Sequence, residues 1–178
     1  MCEMKNFLII SLFFLIVGCP KLIDEPSLIE KNGVMYLPQS DKPYSGDVSK
    51  LDNFGKTLLK GTYKNGKKDG LWTQWYVNGQ KDFEDLWKDG NLDGLSTFWY
   101  EDGQKMGEGT YKNGNRVGLY TQWFENGQKE YEETYKGGKE DRLWTWWYEN
   151  GKKLKEETYK DGELISKKEL NEVGSVIE

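Results

Sequence analysis

The sequence has no histidine, and its 2 cysteines, Cys2 and Cys19, both stand ahead of Pro20. These absences remove much chemistry from the rest of the chain. No Ser-His or Cys-His nucleophile pair, no Cys/His zinc site and no disulfide framework can be assembled there. Proline is scarce, at 4 of 178 residues, and positive charge is not in excess: 25 Lys and Arg stand against 30 Asp and Glu, for a net charge of −5. Proteins that neutralise a phosphate backbone carry a basic stripe. None is present, so nucleic acid is set aside as a partner. Only a carboxylate-based enzyme is left open by composition, and no catalytic residue, metal ligand or cofactor is expected.

Aromatic residues are plentiful, at 15% with 8 Trp and 11 Tyr, and there are 21 Gly. Disordered chains are poor in aromatics. Here the apolar content is gathered into a few large side chains separated by polar turns, and the length suits one domain.

One apolar run, Phe7 to Val17 (FLIISLFFLIV), precedes the rest. It is shorter than the roughly 20 residues that span a bilayer and has the length of a signal-peptide core, with Lys5 as the positive flank. It ends in Ile16-Val17-Gly18-Cys19, which resembles the lipobox of bacterial lipoproteins, where a small residue precedes an invariant cysteine. The resemblance implies removal of residues 1–18, acylation of Cys19, and export to a lipid-anchored position on the cell membrane or outer membrane; two or more acyl chains give stable anchoring. The alternative is an ordinary secretory signal with an incidental cysteine. Residues 19–32 are expected to be the lipidated cysteine and a tether, since PKLIDEPSLIEK carries two prolines and no period. Fully extended, such a tether reaches at most ~40 Å at roughly 3.5 Å per residue.

The remainder repeats every 24 residues. Glycines recur at Gly66, Gly90, Gly114, Gly138 and Gly162, and again at Gly79, Gly103, Gly127 and Gly151. A third column runs Gly70, Gly94, Gly118 and then Arg142, each followed by leucine: Leu71, Leu95, Leu119, Leu143. Aromatic columns keep the same phase: Trp75, Trp99, Trp123, Trp147; Tyr76, Tyr100, Phe124, Tyr148; and Tyr63, Trp87, Tyr111, Tyr135, Tyr159. Full units open at Gly61, Asp85, Gly109 and Glu133, spanning 61–164; a degraded unit at 33–60 precedes them, with Gly46 and Gly55 in register. Within each unit, Asn78-Gly79 and its equivalents join two aromatic, β-favouring runs too short for stable helices. Asn-Gly and Asp-Gly tolerate positive φ at both positions, which predicts type I′ hairpin turns there. The other connection, Asn65 to Gly70, reads as a longer loop.

GTYKNGKKDGLWTQWYVNG and EGTYKNGNRVGLYTQWFENG resemble the variant MORN repeat of bacteria: an aromatic, a K/D-N-G turn, then G-L-W-x-x-W/Y-Y/F-x-N-G. The resemblance covers about residues 44–165. It implies an all-β fold, an elongated single-layer antiparallel β-meander of tandem 24-residue hairpins. Proteins built from such repeats are often labelled antitoxin components of toxin–antitoxin systems, a role that an exported chain fits poorly. Arg142, Ser96 (where Trp72 and Trp144 stand) and Gly137-Gly138 depart from the pattern.

Neighbouring side chains on a strand face opposite ways, so both faces carry aromatics. The column Trp72, Ser96, Tyr120, Trp144 varies in size, which suits a surface; with Tyr76, Tyr100, Phe124 and Tyr148 it forms the expected binding surface. Exposed aromatic rows anchor proteins or stack on sugars. A protein partner at the envelope is the first expectation and a glycan such as peptidoglycan the second. The tail, 165–178, is expected to cap the open edge, either as a short helix headed by the capping box Ser166-Lys167-Lys168-Glu169 or as a last strand.

Overall fold

The computed structural model describes residues 23–177; the expected signal segment 1–18 and Cys19 lie outside the described residues. The chain begins with β1 (Ile23–Asp24), a 3-10 turn (Glu25–Ser27), β2 (Ile29–Lys31), β3 (Val34–Tyr36), β4 (Gly46–Leu51) and β5 (Thr57–Lys64). It continues through β6 (Lys67–Lys68), β7 (Gly70–Trp75), β8 (Lys81–Lys88), β9 (Asn91–Trp99), β10 (Lys105–Lys112), β11 (Asn115–Trp123) and β12 (Lys129–Lys136). It closes with β13 (Lys139–Glu140), β14 (Arg142–Trp147), β15 (Lys153–Lys160), β16 (Glu163–Leu170) and β17 (Val176–Ile177). From β4 onward the strands form one antiparallel meander in chain order; short β6 and β13 extend the ladders of β5 and β12.

Both kinds of turn differ from expectation. Within the repeats the positive-φ pairs are Asn65-Gly66, Asp89-Gly90, Asn113-Gly114, Gly137-Gly138 and Asp161-Gly162, so the tight type I′ hairpins lie in the connections expected to be longer. At Asn78-Gly79 and its equivalents only the glycine has positive φ. There the Gly79 amide donates to the Tyr76 carbonyl and the Tyr76 amide to Gln80. This is the three-residue loop in which a type I turn ends in a left-handed glycine. Asn78 accepts the Gln80 amide through its side chain, which fixes the turn before the glycine.

The tight turns also join successive repeats. The amides of Gly90, Gly114, Gly138 and Gly162 donate to the carbonyls of Lys68, Leu92, Arg116 and Glu140, one repeat earlier. Each unit is thus pinned to its neighbour at a fixed place. Stability in such arrays is close to a sum of nearest-neighbour terms.

The core is a row across one face. Registers place Val48 opposite Gly61, Asp85 opposite Trp72 and Ser96, Gly109 opposite Ser96 and Tyr120, and Glu133 opposite Tyr120. Trp72, Tyr120 and Trp144, expected at the binding surface, are buried here, Trp72 completely. Size variation along their column is matched across the strands. A Cβ on Gly61 would lie 2.2 Å from the Trp72 ring and one on Gly109 2.5 Å from the Tyr120 ring, so these rings rest on bare backbone. Where the column shrinks to Ser96, the neighbour is Asp85, and the serine hydroxyl donates to its carboxylate at 2.6 Å. Trp144 packs between Tyr135 and Tyr159 and donates its indole N–H to the Thr134 carbonyl.

The N-terminal end departs from the tether expectation, and the C-terminal end takes the strand form of the expected cap. Residues 23–31 are folded rather than a free tether: Ile23 pairs in parallel with Val48, and Leu28 is buried with Tyr44, Val48, Leu59, Tyr63 and Trp72. At the other end the helix alternative is not adopted. Ser166–Glu169 lie within β16, and the turn Asn171–Ser175 repeats the hydrogen bonds of the Tyr76–Gln80 turn, so the hairpin pattern continues although its side chains diverge.

Candidate functional site

On the face opposite the core row lie Leu71, Thr73 and Trp75 of β7 and their equivalents, following the alternation of the strand. Thr73, Thr97, Thr121 and Thr145 are buried. Beside them Lys81–Glu84, Lys105–Glu108, Lys129–Glu132 and Lys153–Glu156 form ion pairs, each exposed enough to contribute about 0–1 kcal/mol. Leu71, Leu95, Leu119 and Leu143 are half exposed along the same face. Glu132 and Glu133 serve opposite faces: Glu133 pairs with Arg116 beside Tyr135.

The remaining expected site residues occupy the loop end of the hairpins. Tyr76, Tyr100, Phe124 and Tyr148 follow directly on β7, β9, β11 and β14 and are half-buried. The tyrosine hydroxyls are engaged by the next hairpin: Tyr76 donates to the Trp99 carbonyl at 2.7 Å, Tyr100 to Trp123 at 2.7 Å and Tyr148 to Leu170 at 3.0 Å. What each tyrosine offers a ligand is therefore its ring. Phe124 has no hydroxyl to reach the equivalent Trp147 carbonyl. Phe124→Tyr is expected to add that bond and raise stability by about 0.5–1.5 kcal/mol, read as a higher urea midpoint; an unchanged midpoint would mean that the bond does not form.

Between successive rings the surface opens into cavities. One of about 450 Å³ is lined by Tyr76, Tyr100, Glu101, Asp102 and Glu125. The next, of about 430 Å³, is lined by Tyr100, Phe124, Glu125, Asn126, Glu130 and Glu149. The same row begins in a smaller cavity, about 290 Å³, that includes Tyr76, Asp82 and Glu101. The backbone around them is held: Asn78 donates to the Glu101 carbonyl, Gln104 to Glu125 and Asn126 to Glu149, each turn bonded to the next. Burial, reinforced by Glu130, Glu125 and Asp102, pushes the Tyr100 hydroxyl above its ordinary range. At Tyr76, burial with Asp82 and Glu101 pushes it up to about 12. Amides of Gln104 hold the Asp102 carboxyl below the usual carboxylate range.

A larger cavity, about 470 Å³, lies under the β2–β3 hairpin beside Tyr63, Lys68 and Trp87. It occurs once, at the junction with the N-terminal segment, and already contains a cation: the Lys68 ammonium lies over the Trp72 and Trp87 rings. Desolvation lowers the Lys68 pKa.

Of the expected surface, the structure thus brings Tyr76, Tyr100 and Phe124 together in an open row with Tyr148 at its end, and removes Trp72, Tyr120 and Trp144 to the core. The carboxylates of Glu101, Glu125 and Glu149 were not anticipated. Their signal is present, since they precede Asp102-Gly103, Asn126-Gly127 and Asn150-Gly151 in one column of the repeat.

A single layer of tandem hairpins, with no α-helix among the described residues, defines the class: an all-β repeat protein. Three tandem stretches, residues 92–113, 116–136 and 143–161, match the family model of the MORN repeat variant. Each stretch corresponds to a hairpin of the meander; β4–β5 and β7–β8 have the same geometry outside the matched stretches. No curated protein matches the chain.

Proposed function

We propose that this protein is a non-enzymatic binding module, exported and lipid-anchored through Cys19, that holds a protein partner at the cell envelope along the row Tyr76, Tyr100, Phe124, Tyr148. The observation that carries the reading is a series of open cavities, floored by half-buried rings and repeated on a hydrogen-bonded frame. Repetition of one shallow site suits an extended partner better than a small substrate. Glycan binding has less support, because Trp72, Tyr120 and Trp144 have no accessible faces for sugars. No observation favours the antitoxin role.

Ile23 pairs with Val48, so at most the span from Cys19 to Ile23 separates an acylated cysteine from the sheet. That span reaches about 14 Å when fully extended, so the module would work close against the bilayer surface.

Labelling with a radioactive fatty acid and fractionation test the anchor. Wild type is expected to be labelled and sediment with membranes, and Cys19→Ser to lose both label and membrane association; retention of both by the variant would overturn the anchor. A photo-crosslinking residue placed at Glu101 or at Leu119 tests the binding role in cells. A discrete protein adduct from Glu101 is expected, with little or none from Leu119 on the opposite face; no adduct from Glu101 would remove the reading.

A further inference from the structure

Three aromatic columns bring their own cations. Lys81 and Lys129 lie over Trp99 and Trp147, Lys68 and Arg116 over Trp72 and Tyr120, and the same two cations over Trp87 and Tyr135. The fourth column, Tyr76, Tyr100, Phe124 and Tyr148, has no cation of the chain over any of its rings among the described residues. Its cavities are nevertheless lined by five acidic residues, Glu101, Asp102, Glu125, Glu130 and Glu149. None of these five forms an ion pair among the described residues. The chain therefore supplies both halves of a cation site, a ring face and a carboxylate, repeatedly and without the cation.

From this we infer that the row binds an extended basic segment of a partner protein, with a lysine or arginine at every third residue. The inference rests on the binding role proposed above and assigns its partner's chemistry. Spacing supplies the register. Successive rings are two strands apart, about 9.6 Å at a strand separation of about 4.8 Å. Three residues of a polyproline II segment, one full turn, advance about 9.3 Å and return the side chain to the same side, whereas on an extended strand every third side chain would face away. Each third side chain would thus reach the next cavity, its ammonium or guanidinium placed over a ring and beside the carboxylate of Glu101, Glu125 or Glu149. The turn-to-turn hydrogen bonds keep those acids in place before the partner arrives, so little ordering is required on binding.

The test is calorimetric titration of the full chain, as purified from cells in detergent, with a synthetic peptide of four Lys-Pro-Pro units. The comparison peptide has the same composition with its lysines contiguous. The spaced peptide is expected to bind about tenfold more tightly, with affinity falling as salt rises. The triple variant Glu101→Gln/Glu125→Gln/Glu149→Gln is expected to weaken it by about tenfold. Phe124→Leu, which loses a ring face and no hydroxyl, should weaken it as well. Leu95→Ser/Leu119→Ser, on the opposite face, should leave it unchanged. Equal binding of the two peptides would reduce the effect to net charge; that result, full binding by the triple variant, or no binding at millimolar peptide would each overturn the inference. A crosslinked partner captured from Glu101 that lacks a basic segment would leave the binding role standing and remove this assignment.

Discussion

Adding one methyl group at Gly61 is expected to destabilise the protein by about 1–3 kcal/mol, the range for overpacking a close-packed core. Gly61 has no positive φ, so an alanine there strains no backbone; the whole effect comes from a Cβ 2.2 Å from the Trp72 ring. Removing the ring should be worse. Trp72 is fully buried, and Trp72→Ala is expected to lose about 3–5 kcal/mol, a large part of the 5–15 kcal/mol typical of a domain. The two changes share one space, so their effects should not add. Once the ring is gone, Gly61→Ala places its methyl in the vacated volume and is expected to do no further harm. Urea midpoints at constant slope would read all three variants. A Gly61→Ala protein that unfolds at the wild-type midpoint would show that the indole does not rest on the backbone.

The second large effect is expected where the core row turns polar. Ser96 is fully buried and donates to the buried Asp85 carboxylate. Ser96→Ala would leave that carboxylate without this partner and is expected to lose about 1.5–3 kcal/mol at neutral pH, as for a hydrogen bond to a charged group. Burial raises the Asp85 pKa, against the opposing pull of the Ser96 hydroxyl and the Lys68 ammonium. A carboxyl whose folded value lies above its ordinary 3.8 binds protons more strongly in the folded state. Its stabilising contribution is therefore complete below 3.8 and is lost as pH rises through the folded value. Asp85→Asn keeps an acceptor for Ser96 and has no charge to bury. It should be more stable than wild type at neutral pH and lose that advantage in acid. Urea midpoints at acid and neutral pH would show it; an equal difference at both would separate Asp85 from the pH response.

Much of the fold was legible because the repeat is a one-dimensional signal. The 24-residue step places every glycine and aromatic column, and runs such as Leu71–Tyr76 are too short and too aromatic for anything but strands. The turns were less legible, since Asn-Gly suits both a two-residue loop with positive φ at both positions and a three-residue loop with only glycine left-handed. Loop length decides between them, and it depends on which residues pair across the hairpin. The acidic column ahead of the Asn-Gly and Asp-Gly pairs was visible in phase. Its importance was hidden, because each glutamate lines a cavity that also includes a ring from a neighbouring repeat.

By itself, the sequence determined the period, the all-β meander and the absence of histidine and cysteine chemistry from the body, since all three follow from which residues are present and how far apart they stand. Tertiary structure alone decided which aromatic column is core. Trp72, Ser96, Tyr120 and Trp144 vary in size like a surface, yet each change is answered across the strand by Gly61, Asp85, Gly109 or Glu133. Burial depends on that volume match between strands, and a match between partners has no expression in either strand until their register brings them together.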